Sequence, residues 1–110
     1  KSVLRRTTVK EAAVLSNGNI VMNVGKHSVS VDGEEITLTL KEFDLLKLFL
    51  NNQGYVLTRD QLIKKVWGQD FRGETRTVDV HIGTLRTKLG NSGNRIETIR
   101  GVGYRMEESK

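Results

Sequence analysis

The chain has 110 residues and a net charge of +5, with 36% hydrophobic and 28% charged residues. These values are typical of one small globular domain. Cysteine is absent, which excludes disulfides and thiolate metal sites. No apolar run approaches the roughly 20 residues that span a membrane, and no segment has the pattern of a signal peptide. We therefore expect a cytoplasmic protein without membrane contact.

The basic residues concentrate in the C-terminal third of the chain. Between Arg72 and Arg105 lie seven basic and three acidic side chains, which contribute +4 of the net +5. A basic segment of this kind is typical of a protein that binds a polyanion. The same number of basic residues is explained nearly as well by charges that only keep the protein soluble.

The N-terminal part of the chain predicts a linker followed by a sheet. Residues 1–17 show no hydrophobic period and are expected to be a linker from a missing domain, with a short strand near residues 12–15. Between residues 19 and 40, apolar and polar residues alternate, which predicts three or four short antiparallel strands. Asp32 and Gly33 form a strong hairpin signal within this segment.

Two helices are predicted to begin at capping boxes. Thr39 is followed three residues later by Glu42, and Thr58 by Gln61. The first helix is apolar over a wide arc and ends near Gly54, so we expect it to form the core. The second helix is apolar on one side only.

A third helix, predicted over residues 75–89, has two contrasting faces. Its core face repeats apolar residues at helical spacing, namely Val78, Ile82, Leu85 and Leu89. Its outer face mixes cations, hydroxyls and one apolar side chain, namely Arg76, Val80, Gly83, Thr84 and Thr87. This mixture favours a DNA major groove, where cations meet phosphates or guanine and hydroxyls meet base edges. A basic outer face is, however, more often simply solvated.

The second and third helices form a helix-turn-helix arrangement with a long loop. Residues 69–74 exceed the three or four residues of a tight turn, which indicates a variant of the motif. Phe71 within this loop is expected to lie in the core, the alternative being an exposed contact with a partner.

The chain is predicted to end in a β-hairpin. Residues 90–94 have the composition of a mobile linker, and residues 96–106 alternate around a turn at Gly101. The hairpin tip is expected to bring Arg100 and Arg105 together. A hairpin after a helix-turn-helix makes a winged helix, whose wing can enter the adjacent minor groove. The alternative is a hairpin that only closes the domain.

Several segments closely resemble the effector domain of OmpR/PhoB-type response regulators. The most specific are residues 76–82 (RTVDVHI) and 98–105 (TIRGVGYR), and residues 40–46, 57–62 and 66–68 match in the same order. The resemblance covers residues 18–106. It implies an α+β winged helix-turn-helix domain over residues 18–107, with an N-terminal antiparallel four-stranded sheet, three helices and a C-terminal hairpin wing.

The resemblance also implies a function. It predicts a bacterial transcriptional regulator of a two-component phosphorelay, in which two copies bind tandem direct repeats of double-stranded DNA. Helix 75–89 would lie in the major groove and wing 96–106 in the minor groove. The DNA-binding positions implied by the family are Trp67, Arg76, Thr77, Val80, His81, Thr84, Arg86, Thr98, Arg100 and Tyr104.

Further partners follow from the same resemblance. The expected partners are RNA polymerase, a second copy of the chain, a receiver domain in the full-length protein and the cognate sensor histidine kinase. The loop that family members use to contact RNA polymerase corresponds here to Gln69, Asp70, Phe71, Arg72, Gly73 and Glu74.

Two positions depart from the family pattern. Family members often carry arginines where this chain has Gly83 and Thr84, and each bidentate contact with guanine contributes about 1–3 kcal/mol of discrimination. We therefore expect a site that is less directed to guanine, with Val80, Thr77 and Thr84 facing A·T pairs.

The sequence supports other functions less well than DNA binding. We expect no enzyme, catalytic residue, cofactor or metal, because Asp79 and His81 point about 200° apart on a helix and no cluster has metal-ligand spacing. A protein-interaction module is the main alternative, and its binding would depend little on salt. RNA binding is disfavoured because only 5% of the residues are aromatic.

Overall fold

The computed structural model describes residues 14–68, 71, 73 and 76–108. In chain order, the elements are β1 (Val14–Asn17), β2 (Ile20–Asn23), β3 (Ser28–Val31), β4 (Glu34–Ile36), α1 (Leu40–Asn51), β5 (Val56–Thr58), α2 (Arg59–Val66), α3 (Arg76–Leu89), a 3-10 helix (Gly90–Arg95), β6 (Ile96–Ile99) and β7 (Gly103–Met106). This order confirms the predicted α+β winged-helix architecture within the described residues.

The N-terminal sheet has four antiparallel strands in the order β1-β2-β3-β4, as predicted. Asp32 and Gly33 have φ angles of 56° and 84°, which suit the primed turn of a two-residue hairpin. Ile20, Met22 and Val29 project to the core and are at most 2% exposed. The alternation seen in the sequence therefore defines which face of the sheet is buried.

The first strand, Val14–Asn17, lies within the segment that the sequence predicts as linker. Asn17 is fully buried, and its side-chain amide donates to Oε1 of Gln53 at 3.0 Å and to the carbonyl of Glu107 at 2.6 Å. The strand expected near residues 12–15 is observed at Val14–Asn17, and residues 12 and 13 lie outside the described residues. The described sheet thus begins at Val14, within the segment that the sequence predicts as linker.

Both predicted capping boxes are confirmed. Oγ1 of Thr39 accepts from the backbone of Glu42 at 3.3 Å, while Glu42 Oε1 accepts from the backbone of Thr39 at 2.9 Å. Thr58 and Gln61 make the same reciprocal pair at 3.0 and 2.8 Å. These bonds satisfy N–H groups that have no partner within the helix.

The two faces of α3 are also confirmed. Its core face is at most 1% exposed, whereas the residues predicted on the outer face are all exposed. α3 packs against α1, in which the residues predicted to form the core are buried, namely Phe43, Leu45, Leu46, Phe49 and Leu50.

The prediction of a mobile linker at residues 90–94 is wrong. This segment is a 3-10 helix in which Ser92 and Gly93 are buried. A Cβ on Gly93 would lie 2.5 Å from the carbonyl oxygen of Arg86, so glycine permits close packing on the backbone of α3. The glycines of this segment, which are typical of loops, therefore allow it to pack closely against α3.

The C-terminal hairpin belongs to a three-stranded sheet. The order is β5-β7-β6, and β5 is a short strand that the sequence analysis missed. The prediction that Arg100 and Arg105 meet at the tip is wrong, because Arg105 lies along β7 opposite Glu97. Their side chains form an ion pair of 2.7 Å.

Two glycines are expected to respond oppositely to alanine. A Cβ on Gly103 would lie 2.1 Å from the carbonyl oxygen of Leu57 in β5, whereas nothing lies within 4 Å of a Cβ on Gly83. We expect Gly103→Ala to lower the free energy of unfolding by about 1–3 kcal/mol. Gly83→Ala should raise it by about 1 kcal/mol, because Gly83 lies inside an exposed helix face. Urea denaturation measures both, and equal effects would contradict this packing.

Candidate nucleic-acid interface

The outer face of α3 is centred on an exposed apolar side chain. Val80 is 63% exposed, although the opposite face of the same helix is buried. Arg76, Gly83, Thr84 and Thr87 are exposed beside it. A single exposed valine is common on protein surfaces, so the significance lies in its surroundings of cations and hydroxyls. This combination matches the groups presented by the DNA major groove.

One flank of this face is built around Trp67. The half-buried ring of His81 meets Trp67 edge-on, with 5.0 Å between centroids, and His81 Nδ1 lies 2.9 Å from the carbonyl oxygen of Thr77. Lys41 from α1 places its ammonium group 5.4 Å from the Trp67 ring and donates to the carbonyl of Val66 at 3.1 Å. Lys41 adds a cation where the three helices meet, and no sequence pattern predicted this position.

A buried carboxylate links α1 to α3. Oε1 of Glu42 accepts from Nζ of Lys88 at 2.7 Å, and Oε2 accepts from the Thr84 hydroxyl at 2.7 Å. Burial raises the pKa of this carboxyl, but the bonds from Lys88, the Thr39 N–H and Thr84 outweigh burial and lower the pKa to about 2. Glu42 is therefore charged at neutral pH. Its spacing from Thr39 indicated only the capping role.

A second carboxylate connects α3 to α2 and to the wing sheet, which is the three-stranded sheet β5-β7-β6. Asp79 accepts hydrogen bonds from Nε of Arg59 at 2.9 Å and from the phenol of Tyr104. Burial raises the pKa of Tyr104, and the bond to Asp79 raises it further. Burial also raises the pKa of Asp79, but the bonds from Tyr104 and Arg59 lower it more, so the net shift is downward. The phenol, on a residue that is 4% exposed, thus faces the helix.

Arg86 joins α3 to the wing. Its Nε and Nη2 donate to the carbonyl of Ile96 at 3.1 and 2.7 Å, and Nη2 also donates to Thr98 Oγ1 at 2.9 Å. Its guanidinium carbon lies 5.4 Å from the Tyr104 ring centroid. Thr98 is exposed on β6, and Arg100 is exposed in the turn that follows.

The structure therefore divides the predicted DNA-binding residues into two sets. An exposed set lies on the outer face of α3 and on the wing, namely Arg76, Val80, Thr84, Thr98 and Arg100. A second set is partly or fully buried, namely Trp67, Thr77, His81, Arg86 and Tyr104. The internal contacts of Asp79 and Glu42 were not predicted, because their partners lie on other elements.

Only part of the predicted polymerase-contact loop is described. Phe71 is half-buried, packs against the core and lies 5.9 Å from Trp67 between ring centroids. Gly73 is exposed, and a Cβ there would lie 2.2 Å from the Phe71 ring. The remaining loop positions fall outside the described residues, namely Gln69, Asp70, Arg72 and Glu74.

The described residues provide neither a metal site nor a membrane-spanning helix. In these ranges no group of three or more histidine, cysteine, aspartate or glutamate side chains is placed to hold a metal ion. No helix in the described part of the chain is long and apolar enough to cross a membrane.

Residues 33–106 match the sequence model of the family described as "Transcriptional regulatory protein, C terminal". This chain belongs to that family. Among curated relatives of these C-terminal domains, the sensory transduction protein RegX3 of Mycolicibacterium smegmatis is 48% identical over 115 residues. That match covers 97% of this chain and 50% of RegX3, so the chain spans about half the length of the curated relatives it matches.

Solved structures of the family have the same fold. The DNA-binding domain of RstA from Klebsiella pneumoniae, determined in complex with the RstA box, is 33% identical with a TM-score of 0.76, covering 86% of this chain and 96% of that one. The response regulator DrrB of Thermotoga maritima, an OmpR/PhoB homologue, is 31% identical with a TM-score of 0.77. That match covers 86% of this chain and 44% of DrrB. The chain is therefore an effector domain of the OmpR/PhoB type.

Proposed function

We propose that this chain binds double-stranded DNA sequence-specifically and regulates transcription as the effector domain of a two-component response regulator. In this proposal, α3 lies in the major groove and the turn between β6 and β7 enters the neighbouring minor groove. Two copies occupy tandem direct repeats, because one module contacts few base pairs and a second copy raises the affinity through effective concentration.

The observation that carries this proposal is the outer face of α3. An exposed helix face with Arg76, Val80 and Thr84 offers a cation, an apolar contact and a hydroxyl to one groove. Arg100 in the exposed turn of the wing supplies a cation to the minor groove. The DNA-binding domain of RstA, which has the same fold, was determined in complex with the RstA box, and this supports DNA binding by this chain.

The ten predicted DNA-binding residues then divide by role. The exposed set contacts DNA directly, together with the half-buried flank of Trp67, Thr77 and His81. Arg86 and Tyr104 hold the wing sheet at a constant position relative to α3, so that both elements reach adjacent grooves together. Their hydrogen bonds to Ile96 and Asp79 support this positioning role.

The partners in the full-length protein are also proposals. The chain spans about half of RegX3, which leaves room for a receiver domain that a sensor histidine kinase phosphorylates. RNA polymerase is proposed to contact residues 69–74, between α2 and α3. We place the protein in the cytoplasm, where DNA and polymerase lie, and assign it no enzymatic activity.

The proposal is tested by selecting duplex DNA from a random pool at about physiological salt, with Arg76→Ala in parallel. We expect the wild type to enrich two direct half-sites about one helical turn apart, and the variant to lose the base preference. A tandem fusion of two chains shows whether pairing limits the affinity. No enriched motif in the single chain or in the fusion, with only salt-sensitive background binding to DNA, would instead favour a protein-interaction module.

A further inference from the structure

The Thr84 hydroxyl is on the exposed outer face of α3, yet its proton is directed into the protein. Oγ1 donates to Oε2 of Glu42 over 2.7 Å, whereas the backbone carbonyls of His81 and Val80 lie farther away, at 3.0 and 3.4 Å. A hydroxyl has one proton, and a bond to a carboxylate is stronger than one to a neutral carbonyl. The proton therefore points to Glu42, and the hydroxyl lone pairs remain for the groove.

The direction of this bond is determined by the charge of Glu42. The residue is 3% exposed, and its Oε1 accepts from the Lys88 ammonium and the Thr39 N–H at 2.7 and 2.9 Å. These bonds hold the pKa of Glu42 at about 2, so the carboxylate has no proton to donate at neutral pH. Thr84 must be the donor.

We propose that Glu42 determines the base preference of α3 opposite residue 84 by orienting the Thr84 hydroxyl as a hydrogen-bond acceptor. An acceptor selects the amino group of adenine or cytosine and disfavours the thymine O4 and the guanine O6 and N7 atoms. Glu42 is a positioning residue, because it acts through Thr84 and is itself buried. This inference rests on the proposed function, since it requires α3 to lie in the major groove.

Thr87 provides a matched control on the same helix. It is also exposed, but its hydroxyl donates to the carbonyl of Gly83 at 3.0 Å and has no described carboxylate partner. Thr87→Val therefore removes an outward hydroxyl without altering the pair between Glu42 and Thr84.

The first step of the test assigns the base pair. Duplex DNA is selected with the wild-type chain, Thr84→Val and Thr87→Val, and the base pair whose preference changes only in Thr84→Val is assigned to residue 84. The affinity is then measured for the selected site and for the same site with that pair reversed, which exchanges its amino and keto groups. We expect the wild type and Thr84→Ser to bind the reversed site roughly 3- to 10-fold more weakly. Thr84→Val should lose most of this ratio.

The second step tests Glu42. Glu42→Gln keeps the side-chain length and the capping box, with its oxygen turned to Thr39 and Lys88 and its amide donating to Thr84. The Thr84 proton is then free to meet a keto group, so the ratio between the two sites should fall toward one. The ratio is the readout because a purely structural loss would weaken both sites equally. Thermal unfolding verifies that each variant is folded.

The possible outcomes separate the two proposals. The inference is overturned if Glu42→Gln keeps the full ratio, if the wild type prefers the keto orientation, or if Thr84→Val changes no base pair. In each of these cases the selected motif still supports the proposed function. A wild-type chain that selects no motif would overturn the proposed function, and this inference with it.

Discussion

Substitution of Val80 by glutamate is expected to weaken DNA binding at least about 100-fold at physiological salt, with the fold unchanged. The side chain is 63% exposed at the centre of the outer face of α3, so a carboxylate there remains solvated in the free protein. In the complex it would face phosphates and base edges of negative potential, where like charges cost several kcal/mol.

The control for this substitution is Val21→Glu on the N-terminal sheet. The Val21 side chain is 39% exposed on β2. Its replacement by glutamate adds the same negative charge, but away from α3 and the wing. Fluorescence anisotropy on the selected DNA site measures both affinities, and circular dichroism follows unfolding. Equal weakening by the two variants would mean that net charge, rather than the outer face of α3, determines binding.

Replacement of Arg86 by methionine is expected to lower the free energy of unfolding by about 2–3 kcal/mol. Methionine retains the length of the side chain but leaves the carbonyl of Ile96 without its two donors from the guanidinium, and Thr98 Oγ1 without one. The contact with the Tyr104 ring is lost as well. Urea denaturation measures the loss, and Thr87→Ala, an exposed change on the same helix, should shift stability far less.

Salt dependence distinguishes a positioning role of Arg86 from a DNA contact. A guanidinium that is bonded within the domain neutralises no phosphate, so Arg86→Met should leave the log–log slope of affinity against salt unchanged. Arg100→Ala, at the exposed turn of the wing, should reduce that slope by about one. A slope that changes with Arg86→Met and not with Arg100→Ala would reverse the proposed roles.

Local patterns were sufficient to predict most elements of this fold, although not the short strand β5. Capping boxes at Thr39 and Thr58 located two helix starts, and alternation located the strands, because both patterns depend only on residues a few positions apart. Local patterns failed where a glycine-rich segment was compatible with both a flexible linker and a packed helical turn. The segment Gly90–Arg95 has the residues of a flexible linker, and only its packing against α3 makes it a 3-10 helix.

The outward direction of the α3 side chains was predicted correctly, but their contacts with other elements were not predicted. The helical period of α3 correctly assigned Val78 to the core and Val80 to the outside, because the period determines the direction of each side chain from the helix axis. The family resemblance, not the period, placed Arg86 in the same DNA-binding group as Arg76. The helical period of α3 cannot show whether a side chain is hydrogen-bonded to a neighbouring element, as Arg86 is to β6.

The sequence by itself determined the winged helix-turn-helix and the outward face of α3, since hydrophobic period, caps and turns are encoded over short distances. Only the tertiary structure decided which polar groups on that helix are engaged. Glu42 reaches Thr84 and Lys88 across 42 and 46 residues of chain, and Asp79 meets Tyr104 across 25. Such pairs form because the shared core brings α1, α3 and the wing together, and a buried carboxylate then requires donors from whichever elements surround it.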